Sequence, residues 1–358
     1  MVHGVSTCSP APLRNPSWCS TGPCRARYPR DGISTQGCAS CRRQYYPDGD
    51  SVGLSTLLVF LSLCLLPVWS AVADPGARFV VGFAQDNLDN DWRLAQVDGL
   101  KRRMAAYPEI EFLVTDGRGS TAQQIKDIED LISLDVDVLV TSPRDSRAMT
   151  PVLSRAFQRG TPVVLLTRRI QTDDYTTFIG ADDRAIASDA AEYMVGKMNG
   201  TGTILMLQGV PTATTAIDRT EAFLDVTADY PDIRVITKVG NYLRADAAVA
   251  VEELLFQGWR FDAIFAQSDS MVLGALLALE KAAIDPEPLV IVGMDYISET
   301  REAIRAGKQD ASFVYPTSSE SAARAILAIL EGREVPRRIT PPSIMVTRDN
   351  VDTVEPIF

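Results

Sequence analysis

Arginines, aromatics and aspartates gather just after short β-branched runs in this chain: Trp92 and Arg93, Arg168 and Arg169, Arg219, Tyr242, Ser268 and Asp269, Asp295, and Tyr315. Aromatic faces cover the apolar C–H side of a sugar ring, and Asp and Arg make charge-assisted hydrogen bonds to its hydroxyls. The mixture suits a neutral polyhydroxylated ligand. Each residue alone has a plainer use, Trp92 in a core or Arg168 against a surface acid. Their shared place after strands is what points to a site.

What the same span lacks excludes more. Beyond residue 73 there is no histidine and no cysteine. Ser/His/Asp and Cys/His catalysis are therefore unavailable, zinc and most transition-metal sites lose their ligands, and neither a GxSxG elbow nor a P-loop occurs. A carboxylate-only glycosidase would need a pair among Asp86, Asp269 and Asp295, yet lone strand-end aspartates more often accept hydrogen bonds or cap helices. The stretch from Asp116 through Gly117, Gly119 and Ser120 to Ala122 has the outline of a dinucleotide loop. Thr141 stands where the ribose-binding acid belongs, so a tight turn with Ser120 or Thr121 capping a helix is preferred. The expectation is a binding protein with no catalytic residues, cofactor or metal.

All six cysteines and the single histidine precede residue 74. Cys38 and Cys41 form a CxxC near His3, but the spacing matches no complete zinc set. Residues 1–53 read as a low-order upstream segment. Residues 54–73, LSTLLVFLSLCLLPVWSAVA, have the apolar core, the break at Pro67 and the small Ala71 and Ala73 of a signal peptide, which predicts a mature chain from Asp74 in the periplasm. No Lys or Arg lies between Arg43 and the apolar run, where a positive n-region belongs, so an uncleaved anchor is the alternative. Of 35 basic and 46 acidic residues, six Arg and three Asp precede residue 74, leaving 29 and 43 and a formal charge of −14. Such acidity repels nucleic acid and anionic lipid surfaces.

The elements that must carry these side chains alternate almost to the C-terminus. Strands are predicted at 79–84, 111–115, 138–141, 162–166 and 177–179, with helices at 91–106, 120–134 and 149–159 between them. A second set opens with a helix at 184–198 and a strand at 203–207. It continues with strands at 234–239, 263–267, 290–292 and 311–314. Ten parallel strands in one open sheet would be unusual, so the α/β chain is predicted to form two doubly wound parallel-sheet lobes joined by three crossovers. The crossovers fall near Ala181, Tyr315 and Pro342. That assigns 74–181 plus 316–342 to an N-terminal lobe and 182–315 plus 343–358 to a C-terminal lobe.

From Val80 to about Val346 the chain resembles the periplasmic sugar-binding proteins of ABC importers, of the type I periplasmic binding fold, in the branch of ribose- and galactofuranose-binding proteins. The resemblance rests on VGFAQ at 81–85, DWR at 91–93, the strand end at 166–168 and LQG at 207–209. AIDR at 216–219, FAQSDSMVLGAL at 265–276 and VGMD at 292–295 extend it. It implies that Trp92 stacks on the sugar and Arg93 bonds to it. Arg168 and Arg219 would aim at ring and anomeric oxygens, Tyr242 would add a second-lobe aromatic, and Asp295 would bind hydroxyls, with Asp269 beside the site in a structural role. Three positions depart from the family pattern: Thr167 replaces an Asp, Ser268 an Asn, and Tyr315 a polar residue. Altered partners argue against ribose and toward the galactofuranose-type branch. The implied protein is a monomer that captures a monosaccharide or polyol by hinge closure and delivers it to a membrane permease. A sensor of the same fold acting on a receptor kinase or chemoreceptor is the alternative. A DNA-binding regulator is disfavoured, since residues 1–73 offer no basic helix-turn-helix.

Overall fold

The computed structural model describes residues 79–358. The predicted signal peptide, the upstream segment and every cysteine lie outside the described residues. The first stretch of chain forms β1 (Phe79–Gln85), α1 (Asp91–Met104), β2 (Ile110–Asp116), α2 (Thr121–Ser133), β3 (Val138–Thr141), α3 (Ser146–Gln158), β4 (Val163–Leu166) and β5 (Thr177–Ile179). The second forms α4 (Asp183–Lys197), β6 (Gly202–Gln208), α5 (Thr214–Thr227), β7 (Ile233–Val239), α6 (Arg244–Phe256), β8 (Ala263–Ala266), α7 (Asp269–Lys281), β9 (Val290–Asp295), α8 (Ser298–Arg305) and β10 (Ala311–Val314). Then come α9 (Ser319–Leu330), β11 (Arg338–Ile339) and β12 (Met345–Thr347).

Two six-stranded sheets result, ordered β2-β1-β3-β4-β5-β11 and β7-β6-β8-β9-β10-β12. Pairing is parallel throughout except between β10 and β12. Sheets covered by helices on both faces need strands that are apolar on both sides, which is why β3 (VLVT) and β4 (VVLL) read as unbroken runs and are wholly buried. Edge strand β7 keeps Arg234 and Thr237 exposed instead. The first sheet lies between Leu100 and Met104 of α1 with Ile326 of α9 on one face, and Ile128 of α2 with Met149 and Leu153 of α3 on the other. The second lies between Met194 of α4 with Phe223 of α5, and Val251 of α6 with Leu279 of α7.

The chain leaves the first sheet between β5 and α4, returns between β10 and α9, and crosses again between β11 and β12. Helix α9 therefore packs on α1, although it is made after the whole second sheet. In each sheet the strand order reverses beside the first strand of the unit, and the crevice at that point, beyond the carboxyl ends, is where such folds bind ligands.

Two details differ from expectation. Strands β11 and β12 were not foreseen, because segments of two and three residues carry no period and exist only through their edge partners β5 and β10. Helix α3 begins at Ser146 rather than 149, because Asp145 accepts hydrogen bonds from the amides of Arg147 (3.0 Å) and Ala148 (2.8 Å).

Candidate functional site

Between the sheets' carboxyl ends lies a small cavity of about 30 Å³. That is room for about two waters, against roughly 300 to 1,000 Å³ in ligand pockets, so the walls stand close together and must part to admit a larger ligand. Trp92, Arg93 and Thr167 line it from the first lobe, Arg219, Tyr242, Ser268 and Asp295 from the second, and Tyr315 from a crossover. Asn90 and Thr215 complete the wall. Of the strand-end residues singled out in the sequence, Arg168, Arg169 and Asp269 lie off this wall.

Helix α1 delivers the first-lobe side chains. Asn90 caps it by accepting from the Arg93 amide (3.0 Å), and its side-chain amide donates across to the Tyr242 carbonyl (2.6 Å). Trp92 donates through Nε1 to the Tyr315 carbonyl (3.0 Å), with the two rings tilted at 52° and 5.7 Å apart. The predicted stacking residue is thus itself held by an aromatic. Arg93 places Nε 3.2 Å from Asp86 and donates through Nη1 to Ser142 Oγ (2.9 Å). Arg168 is turned behind the wall, where it donates to Asp86 at 2.8 Å with its guanidinium 5.5 Å from the Tyr242 ring centre. Arg144 approaches the same carboxylate at 3.6 Å. Burial alone would raise the Asp86 pKa, but Arg168, Arg93 and Arg144 together hold it below the ordinary range. Burial and the nearby Arg168 charge push Arg93 down to about 10, against the pull of Asp86.

On the second lobe, Arg219 is 3 % exposed, pairs with Asp183 at 2.7 Å and donates to the Gln267 carbonyl at 2.5 Å. Its guanidinium lies 4.5 Å from the Tyr315 ring centre, and the Tyr315 hydroxyl donates to Asp183 at 3.3 Å. Burial would lower the Arg219 pKa; the Asp183 charge overrides it and raises it. Tyr242 shares a hydrogen bond with Thr215 (2.9 Å). Ser268 caps α7 by accepting from the Met271 amide. Asp295 sits at φ 116°, a bend that ends β9 and turns its carboxyl into the cavity wall. Burial, and then the Asp269 charge, raise its pKa well above the ordinary value.

The carboxylate pair that glycoside hydrolysis needs is not on this wall. Asp86 is tied to three arginines, and Asp269, wholly buried, accepts from the Tyr296 amide (2.7 Å), Ser312 (2.6 Å) and Gln309 (2.9 Å). The glycine loop after β2 is a turn: Gly119 takes φ 69° and Ser120 caps α2 by accepting from the Gln123 amide. Asn90 and Thr215 escaped sequence reading because they sit at a helix cap and a first helical turn. The signal that could have found Asn90 is its capping position directly before Asp91-Trp92-Arg93.

Three comparisons bear on this geometry. Residues 81–334 match the profile of the periplasmic binding protein domain. The chain is 27 % identical to the ribose import binding protein of Bacillus subtilis over 83 % of its own length and 98 % of that protein's. It is 28 % identical to the galactofuranose-binding protein of Escherichia coli over 66 % and 77 % of the two lengths. Among solved structures it superposes on the fructose-binding periplasmic domain of a hybrid two-component system with a TM-score of 0.72 and 28 % identity, covering 76 % of this chain and 92 % of that one.

Proposed function

The chain belongs to the periplasmic binding protein family, and from that premise we propose that it is an extracytoplasmic solute-binding protein that captures a monosaccharide or related polyol between its lobes and delivers it to an ABC importer. The observation that carries this reading is the small cavity whose wall alternates aromatic faces with Arg, Asp and hydroxyl groups drawn from both lobes. A ligand touching both walls stabilises the closed form by its differential contacts, and periplasmic binding proteins are the standing example of such hinge closure. The eight predicted residues on the wall, with Asn90 and Thr215, would meet the ligand; Arg168 would position them by holding Asp86. The family relatives act in import, which supports an exported, periplasmic location and a permease partner.

Thermal-shift titration of the chain with a broad sugar and polyol set tests the proposal. A true ligand at a hundred times its Kd should add about 2.7 kcal/mol of stability. A flat response to the whole set would refute it. A sensor role is the second reading, favoured by the likeness to a two-component periplasmic domain. Loss of uptake of the identified ligand on gene deletion, with the transcriptional response intact, decides for transport; the opposite pattern decides for sensing.

A further inference from the structure

The charges on the first-lobe wall narrow the ligand further, given the sugar-binding reading above. Arg93, Arg144 and Arg168 converge on one carboxylate, Asp86. Arg144 keeps 18 % of its side chain exposed and is screened by water, whereas Arg93 and Arg168 keep 8 % and 1 %. Two enclosed guanidiniums against one carboxylate leave a positive charge without a counterion, and unpaired buried charge is costly. Neighbouring acids are already taken: Asp183 by Arg219, Asp218 by Arg169, and Asp269 by its three donors. Asp295 faces the cavity from the opposite lobe, where burial and then the Asp269 charge raise its pKa well above the ordinary value against the pull of Arg219 and Arg93.

The surplus has an address. Arg93, with Nε on Asp86 and Nη1 on Ser142, lines the cavity, and its Nη2 makes no hydrogen bond among the described residues. Thr167 lies one hydroxyl away, its Oγ1 3.2 Å from Ser142 Oγ, and adopts φ 60°. A β-branched residue is an outlier there, while Asp or Asn enters that region readily. Strain of this kind is kept where the surroundings demand it. Here it keeps a neutral hydroxyl, rather than a carboxylate, beside Arg93.

We propose that the ligand is a sugar acid, a uronate or aldonate, whose carboxylate is received by Arg93 on the first lobe while its hydroxyls meet Asp295 and Arg219 on the second. A monoanion matches the single unpaired charge, and a guanidinium fork matches a carboxylate. This departs from the neutral ligand that the residue types alone suggest.

Calorimetric titration of the wild-type chain with three matched pairs tests it: D-galacturonate with D-galactose, D-glucuronate with D-glucose, and D-gluconate with D-glucitol. At least one acid should bind about tenfold or more tightly than its neutral partner. Thr167→Asp, which supplies the missing carboxylate, should reverse that order; should it fail to fold, Arg93→Gln should erase the difference. Equal or tighter binding by the neutral members, or binding only by neutral sugars of a wider panel, overturns the sugar-acid proposal and leaves the sugar-binding reading standing. Silence from every acid and every neutral sugar overturns both.

Discussion

Tyr242 keeps its place in the cavity because residue 209 has no side chain: a Cβ there would lie 1.9 Å from the Tyr242 ring. Gly209→Ala must displace that ring from Thr215 and from the arginines beside it, at a cost of about 1–3 kcal/mol in stability, with ligand affinity falling alongside; paired denaturation and binding measurements read both. Arg219→Ala goes further. It strands the buried Asp183 carboxylate and should cost about 3–5 kcal/mol, seen as a fall in denaturation midpoint even without ligand. Asp269 gives a pH signature. Burial raises its folded-state pKa to about 6 from 3.8, against the hydrogen bonds that favour its charge. The native state therefore binds this proton more tightly than the unfolded chain. The resulting stabilisation is complete below pH 3.8 and is lost as pH rises through about 6. Urea titrations between those limits should show a shallower pH slope for Asp269→Asn than for wild type.

Helices α6 and α7 approach so closely that a Cβ at Gly274 would meet the Arg244 carbonyl oxygen at 2.2 Å. Because the obstacle is backbone, Gly274→Ala should destabilise the second lobe by about 1–3 kcal/mol or more, measurable as a lower thermal midpoint with ligand specificity unchanged. At this scale the sequence was most legible. Strands such as β3 and β4 are buried on both faces and declare themselves as apolar runs, while α3 needed its Asp145 cap to be seen at full length. The strand end likewise pointed to Asp295, since a residue leaving a parallel strand faces the crevice, whereas Arg219 reaches the crevice from within α5. Arg168 follows the same rule in sequence but turns to Asp86, a partner 82 residues earlier that no local pattern announces. Asp183 was unreadable for a similar reason: it looks like a helix start, and only the fold sets it against Arg219.

Across the whole molecule the lobes are tied at both margins of the cleft, by Arg169 to Asp218 at 2.6 Å and by Arg244 to Asp91 at 3.4 Å. Neither pair touches the cavity wall, so Asp218→Ala should leave ligand preference intact yet speed release, weakening affinity by about two- to tenfold; stopped-flow dissociation would show it. The three crossovers have a different consequence, which concerns the order in which the protein can be assembled. The core of the first lobe includes Ala322, Ala323 and Ile326 from α9, and its sheet is extended by β11. Both are synthesised after the last parallel strand of the second lobe. A nascent chain cannot finish its first half until nearly all of it has been made. For the export that the proposed function requires, a first lobe completed last would leave the polypeptide threadable for longer.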